Sequence, residues 1–383
     1  MALALPKARR GLMYDFLIVG AGMFGATFAR LATDDGYKCL VIDKNLHIAG
    51  NCFTRKHGVI DVHEYGPHIF HTSNKEIWDF VNKYATFNSF VNRPKALFSN
   101  KLYSLPFCLQ TFYELWGTKT EEEAKKIINS QRYTGEIRNL EDQALALVGR
   151  DIYETLIKGY TEKQWGRPAK ELPAFIIKRL PLRFTFETNY FNDKYQGIPN
   201  QGYTELFLNL LKDIPVKLNV NYLHNRSFWK EQAPTIVYTG GIDEYFDYCY
   251  GNLEYRSLRF EHRVLKTTSN YQGNAIVNYT NKEVPFTRCI EHKFFSSAQC
   301  EETVITREYP LNHTKDKVPY YPVNTEDNQA LYKKYSALAS NESNVYFGGR
   351  LAEYKYMDMH VVIESALNKW KKLKKSKTGS FLA

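Results

Sequence analysis

Three glycines and one acid carry the clearest chemistry in the chain. Gly20-Ala21-Gly22-Met23-Phe24-Gly25 follows an apolar run over residues 14–19 and opens a segment whose apolar positions Phe24, Phe28, Leu31 and Ala32 share one helical face. Gly36 supplies the stop, and a second apolar run over 39–42 ends in Asp43, 23 residues after Gly20. This is the order of a dinucleotide fingerprint. The first glycine permits the tight turn, the second lets backbone approach a pyrophosphate, and the third lets helix and strand pack closely. The helix N-terminus then meets the phosphates with unpaired N–H groups and its positive dipole end. Asp43 would hold a ribose through its hydroxyls; capping the next turn is its bland alternative. Glycines of an ordinary turn explain neither the strand, the helix nor the acid.

Other candidate chemistry is less self-contained. Gly66-Pro67-His68-Ile69-Phe70-His71-Thr72 holds two histidines three residues apart, but no cysteine or suitably spaced carboxylate completes a ligand set, so no metal is expected. From residue 161 the texture changes. Prolines at 168, 173, 181 and 199 break helices, while Arg167, Lys178, Arg179 and Arg183 interleave with aromatic residues. That mixture suits a phosphate with an attached base, and contact with a ligand is favoured over a solvated loop.

The elements that must position these residues follow from pattern and punctuation. Residues 59–65 alternate like a strand, and 74–84 read as a helix with Ile77, Trp78, Phe80 and Val81 towards a core. Residues 93–107 suggest a hairpin turning at Ser99-Asn100. Thr120 opens a capping box before 124–130. Asn139 caps a segment in which Leu140, Ala144, Leu147, Ile152, Leu156 and Tyr160 recur at helical spacing. Strands are expected at 216–220, 235–239 and Val345–Phe347, several more across 253–311 in an antiparallel sheet, and an amphipathic closing helix at 359–370. The fold class is α/β: a Rossmann-like domain (13–83, 202–244 and 340–383), a helical insertion (108–166) and an antiparallel β-sheet domain for substrate (84–107, 167–201 and 245–339). Residues 1–12 are set aside as an extension or cloning remnant.

Composition narrows the function classes. The formal charge of +10 over 383 residues invites a nucleic-acid reading. Yet Lys7, Arg9 and Arg10 at one end and Lys369, Lys371, Lys372, Lys374, Lys375 and Lys377 at the other leave a nearly neutral body, so no nucleic-acid partner is expected. No apolar run has the length of a membrane span. Six cysteines without CxxC or zinc spacing favour reduced thiols in the cytoplasm.

Longer strings are more specific than the glycine motif. HIAGN, YGPHIFHT, IKGYTEKQWGRPAKELPAFIIKR, RFTFETNYF, YQGIP, LEYRSLRFE, RCIEHK, EYP, PYYPVN and FGGRLAEYKYMDMH run through the chain from Met13 to about residue 370. On these strings the chain resembles the bacterial UDP-galactopyranose mutase family. Its departures are small: Ala49 stands where glycine is common, and Asp43 where glutamate is frequent. The resemblance implies noncovalent FAD, active when reduced, and interconversion of UDP-galactopyranose with UDP-galactofuranose for galactofuranose-containing surface glycans. In the implied mechanism flavin N5 attacks the anomeric carbon, UDP leaves, and the sugar opens and recloses as furanose. A cytoplasmic homodimer is also implied.

Residue roles carried by the resemblance are expectations. Gly20, Gly22, Phe24, Gly25, Asp43, Asn51, Arg350, Tyr356 and Asp358 are expected at the flavin, with His68 beside it. Arg179 and Arg288 are expected on the diphosphate. Tyr160, Thr161 and Trp165 would meet uridine and sugar, and Tyr190, Tyr321 and Tyr356 the phosphates, with Arg256 near the sugar. Taken alone, these arginines are more often surface ion pairs, the tyrosines core aromatics and Asp358 a helix cap. Two other functions use some of the same features: a flavin amine oxidase or related dehydrogenase, and a non-catalytic nucleotide-sugar or polyanion binder. Arginines suited to a diphosphate oppose the first, and the dinucleotide motif and near-neutral body oppose the second.

Overall fold

The computed structural model describes residues 13–177 and 181–378, with side chains through Lys374. Five short strands form a parallel sheet in the order Val345–Phe347, Thr235–Tyr238, Phe16–Val19, Cys39–Ile42, Val216–Lys217. Its strands are apolar on both faces, as a sheet covered on both sides requires. Phe16 and Ile18 join a core with Phe28 and Trp370, and Leu17 joins another with Tyr222 and Trp229. The helix Met23–Asp34 leaves the central strand and buries Phe24, Phe28 and Ala32. Gly36, at φ 83°, ends it. The closing helix, Met359–Thr378, runs further than the expected 359–370 and packs on the first one. Its Trp370 meets the ring of Phe28 edge-on at 5.3 Å and donates its indole N–H to Asp35 at 2.6 Å.

A second sheet has seven strands, ordered Tyr321–Pro322, Tyr255–Leu265, Thr303–Asn312, Arg288–Glu291, Ile276–Tyr279, Lys95–Phe98, Lys101–Ser104. It departs from the expected antiparallel pattern at one place, because Ile276–Tyr279 runs parallel to Lys95–Phe98. The last two strands form the expected hairpin, and Ser99 (φ 46°) and Asn100 (φ 64°) give the two left-handed residues that a tight turn of matching twist needs. Ile60–His63 pairs with Thr54–His57 in a small ribbon. All four of its residues are buried, so the apparent alternation over 59–65 does not mark an exposed face.

The helical insertion comprises Leu109–Trp116, Glu121–Gln131, Leu140–Val148 and Lys158–Trp165. Thr120 closes its capping box and Asn139 caps its helix as expected. The expected unbroken periodicity from Leu140 to Tyr160 is interrupted, however, by Gly149 (φ 80°) and a π turn over Tyr153–Ile157. Lys158–Trp165 docks tightly on the seven-stranded sheet. A Cβ on Gly159 would lie 2.2 Å from the carbonyl oxygen of Thr280, and Lys163 Nζ donates to the carbonyls of Tyr279, Val284 and Phe286 at 2.7–3.0 Å. All six cysteines are free, and among the described residues no helix is long and apolar enough to cross a membrane.

The glycine turn separates two kinds of constraint. A Cβ on Gly25 would lie 1.9 Å from the carbonyl oxygen of Gly20, whereas one on Gly22 would meet nothing within 4 Å. Gly25→Ala is therefore expected to lower unfolding free energy by about 1–3 kcal/mol or more through overpacking. Gly22→Ala should remain within about 1 kcal/mol of the parent, its change being confined to the helix cap. Denaturant melts of the two proteins check the contrast, which equal losses would refute.

Candidate active site

A cleft of about 860 Å³ opens at the C-terminal ends of Phe16–Val19 and Thr235–Tyr238 and is closed on its far side by the seven-stranded sheet. Such strand ends are where open α/β sheets bind ligands. At this end lie Gly20, Gly22, Phe24, Gly25, Asp43 and Asn51. Gly20 has φ 112°, and a Cβ there would collide with Thr239 Oγ1, which donates to the carbonyl of Val19. Gly22 presents bare backbone to open space. Asp43 is 6% exposed, accepting from Ala21 N at 2.7 Å and Asn45 N at 2.8 Å. The acid thus caps the following turn and also lines the cleft.

At the other end Arg288, on Arg288–Glu291, donates to the hydroxyl of Tyr160 at 2.7 Å. Its cross-strand partner is Glu308, 1% exposed, with Oε1 3.4 Å from Arg288 Nε. Burial opposes the guanidinium charge, but Glu308, Tyr160 and Tyr321 hold its pKa well above the ordinary value. Burial also raises the phenols of Tyr160 and Tyr321, and that of Tyr356 to about 12, so each remains a neutral hydroxyl. Tyr190, Tyr321 and Tyr356 line the cleft. Arg350 lines it too, with its guanidinium 5.0 Å from the Tyr356 ring centroid and one N–H on the carbonyl of Tyr320 at 2.8 Å.

His68 sits between the two ends. Its Nδ1 lies 2.9 Å from the carbonyl oxygen of Gly66, which can only accept, so Nδ1 carries the proton and Nε2 a lone pair. Burial, together with Arg350, pushes its pKa down to about 4 against the help of the Gly66 carbonyl. Asp358 lines the same cleft. Its Oδ2 is 3.9 Å from His71 Nε2, while His71 Nδ1 pairs with Asp193 at 2.7 Å. His71, Asp358 and His360 bring possible ligand atoms within 4.8 Å of one another. The sequence pattern missed this grouping because two of its members lie almost the whole chain away from the first.

Several expected site residues lie elsewhere. Thr161 is buried, Trp165 packs against the core of the helical insertion, and Arg256 lies behind the wall. Arg256 Nε donates to the carbonyl of Gln164 at 2.9 Å, placing a cation at the end of Lys158–Trp165 where the helix dipole favours it. Arg167 pairs with Glu254, Arg183 grips the carbonyls of Asn189 and Tyr190, and neither lines the cleft. Lys178 and Arg179 lie outside the described residues. Glu308, Tyr320, Asn92 and Asn278 line the cleft without having been expected there. Only the strand register marks Glu308, by placing it opposite Arg288.

Protonation links the site to stability. Burial holds His68 neutral to about pH 4 and, behind its turn, His292 to about pH 3. Each lies below the unfolded value of roughly 6.5. The unfolded chain therefore takes up protons first, and stability intact above that pH falls as the pH drops towards the folded values. The fully buried His292 contributes a slope of about 1.4 kcal/mol per pH unit. Thermal melts should decline from about pH 7 to about pH 5, and a flat profile would contradict the neutral assignment.

Comparison with known proteins agrees with this geometry. A family model described as UDP-galactopyranose mutase matches residues 155–356, and one described as an NAD(P)-binding Rossmann-like domain matches 18–84. The chain is 40% identical over 366 residues to a dTDP-fucopyranose mutase of Escherichia coli, covering 93% of this chain and 97% of that protein. It is also 40% identical over 361 residues to a probable UDP-galactopyranose mutase of Klebsiella pneumoniae, covering 92% and 93%. A crystal structure of reduced UDP-galactopyranose mutase shares the fold, with a TM-score of 0.73 over 97% of this chain and 95% of that one at 13% identity. Likeness that extends over nearly the full length of two relatives and includes the arginine end of the cleft decides the matter: the chain belongs to the UDP-galactopyranose mutase family.

Proposed function

We propose that the chain interconverts UDP-galactopyranose and UDP-galactofuranose on bound FAD, which must be reduced. The observation that carries this reading is the union, in one cleft, of a bare glycine turn with a half-buried arginine flanked by tyrosine hydroxyls. The turn fits a dinucleotide because a Cβ on Gly22 would point into open space where a pyrophosphate can approach. Gly20, Gly22, Phe24, Gly25, Asp43, Asn51, Arg350, Tyr356 and Asp358 would hold the cofactor. When bound, reduced flavin would supply a nucleophilic electron pair for exchange at the anomeric carbon. Arg288, joined by Arg179, would hold the diphosphate while it leaves and returns, and Tyr160, Tyr190 and Tyr321 offer neutral hydroxyls to its oxygens. His68 presents a lone pair rather than a positive charge.

The same reading assigns 13–83, 202–244 and 340–383 to the cofactor, 84–107, 167–201 and 245–339 to the sugar nucleotide, and 108–166 to the helical insertion. It includes a cytoplasmic homodimer that supplies galactofuranose for surface glycans. A second substrate reading rests on the dTDP-fucopyranose mutase, which is as similar as the probable UDP-galactopyranose mutase. Thymidine carries a methyl on the base and lacks a ribose hydroxyl, so the two nucleotide sugars present different surfaces to one pocket.

Product chromatography with each nucleotide sugar should show isomerisation only with reduced cofactor, without stoichiometric use of reductant. Equal turnover under air with oxidised cofactor would rule the proposal out, and preference for the thymidine nucleotide would transfer the substrate assignment. Arg288→Ala should keep its flavin and lose about 100-fold or more in kcat/KM, as expected when a charge-stabilising donor is removed. Arg288→Lys should remain impaired because a point charge does not replace the planar fork. Near-normal rates in both proteins would remove Arg288 from the site.

A further inference from the structure

Behind His68, the turn that follows Ile60–His63 is tied to the seven-stranded sheet by hydrogen bonds whose directions are all determined. The backbone N–H of His63 donates to His292 Nδ1 at 3.2 Å. Neutral His292 therefore carries its proton on Nε2 and donates to Thr306 Oγ1 at 2.6 Å. The single hydroxyl proton of Thr306 is left for His262 Nδ1, 2.7 Å away. His262 must then carry its proton on Nε2, which lies 3.0 Å from Glu64 Oε2 as an ion-pair contact, while Arg55 donates to the other carboxylate oxygen at 2.6 Å. The run leaves the turn at the Glu64 side chain and re-enters it at the His63 backbone, making a closed ring.

His63 passes the constraint forward. Its Nδ1 accepts the backbone N–H of His68 at 3.1 Å, and Gly66, at φ 93°, makes the intervening bend. His292 directly follows the strand that bears Arg288, so the ring also ties His68 to the arginine end of the cleft. His63, His292 and Thr306 are at most 1% exposed, and none lines the cleft. Water cannot replace a bond broken there, and a buried donor would be left unpaired.

We propose that Thr306, His292 and His63 are positioning residues for the mutase reaction: they fix the turn so that His68 meets the cleft as a lone-pair acceptor in constant relation to Arg288. This rests on the function proposed above. A role in packing alone needs the branched shape of Thr306; the relay needs its hydroxyl. Thr306→Val keeps the shape and removes the group that accepts from one histidine and donates to the other.

In the flavin-loaded enzyme, Thr306→Val should lower kcat about tenfold or more, the scale of a displaced catalytic constellation. Flavin content should be unchanged and KM should stay within about twofold. Thr306→Ser should restore the rate. In protein carrying ¹⁵N-labelled histidine, wild-type His292 should show a bare Nδ1 and a protonated Nε2 whose proton signal is shifted downfield by its bond to Thr306, a shift that Thr306→Val removes. Wild-type turnover in the valine protein, equal impairment in the serine protein, or a wild-type His292 protonated on Nδ1 would each overturn the relay. A wild-type protein without turnover would instead count against the proposed function, and the His292 tautomer would still decide the relay.

Discussion

A guanidinium kept charged in a half-buried site is the interaction on which the rest of this structure depends. Taking part of the Arg288 guanidinium out of water without a partner would oppose its charge, and a nearby carboxylate and a hydrogen-bonded phenol offset that. Glu308 meets it because Arg288–Glu291 and Thr303–Asn312 pair in a register that sets the two residues opposite each other. Tyr160 meets it because Lys158–Trp165 lies close against the sheet, which Gly159 permits and Lys163 secures. Sheet register and the docking of the helical insertion are thus set by one charge. The same charge makes this end of the cleft a place for an anion.

The opposite end depends on absence rather than charge. At Gly25 a side chain would strike the turn, at Gly20 it would strike Thr239, and at Gly22 it would fill the cleft. Closeness of backbone is what a pyrophosphate requires. His68 lies between this end and the arginine, and its neutral ring avoids adding a second positive charge beside Arg350. Each end therefore suits an anion by a different physical means, backbone dipoles in one case and a half-buried cation in the other.

Local chemistry made much of this legible in the sequence. The glycine turn, the Ser99-Asn100 hairpin, the Thr120 box and the Asn139 cap each depend on residues a few positions apart, and all take the expected form. What stayed hidden was non-local. Nothing near Glu308 in sequence marks it as the partner of Arg288. Arg256 resembles a ligand arginine until the carbonyl of Gln164 is found against it. Helical spacing continued through Gly149 and the π turn because the apolar residues on both sides enter the same core, so periodicity did not mark the break. Ile60–His63 alternated in polarity, but its polar members Asp61 and His63 are buried with partners.

The parallel contact between Ile276–Tyr279 and Lys95–Phe98 has a consequence for how the chain reaches this state. The hairpin at residues 95–104 leaves the ribosome long before its partner strand exists, and the whole helical insertion and two of the five strands of the parallel sheet are made in between. That sheet is no more contiguous, since Phe16–Val19 pairs with Thr235–Tyr238 and the latter with Val345–Phe347. Neither sheet can be completed from the first half of the chain. Contacts of such long range impose slow closure and leave strand edges open during synthesis. Both ends of the cleft are therefore built from interleaved stretches of one polypeptide, and neither is complete until most of the chain has been made.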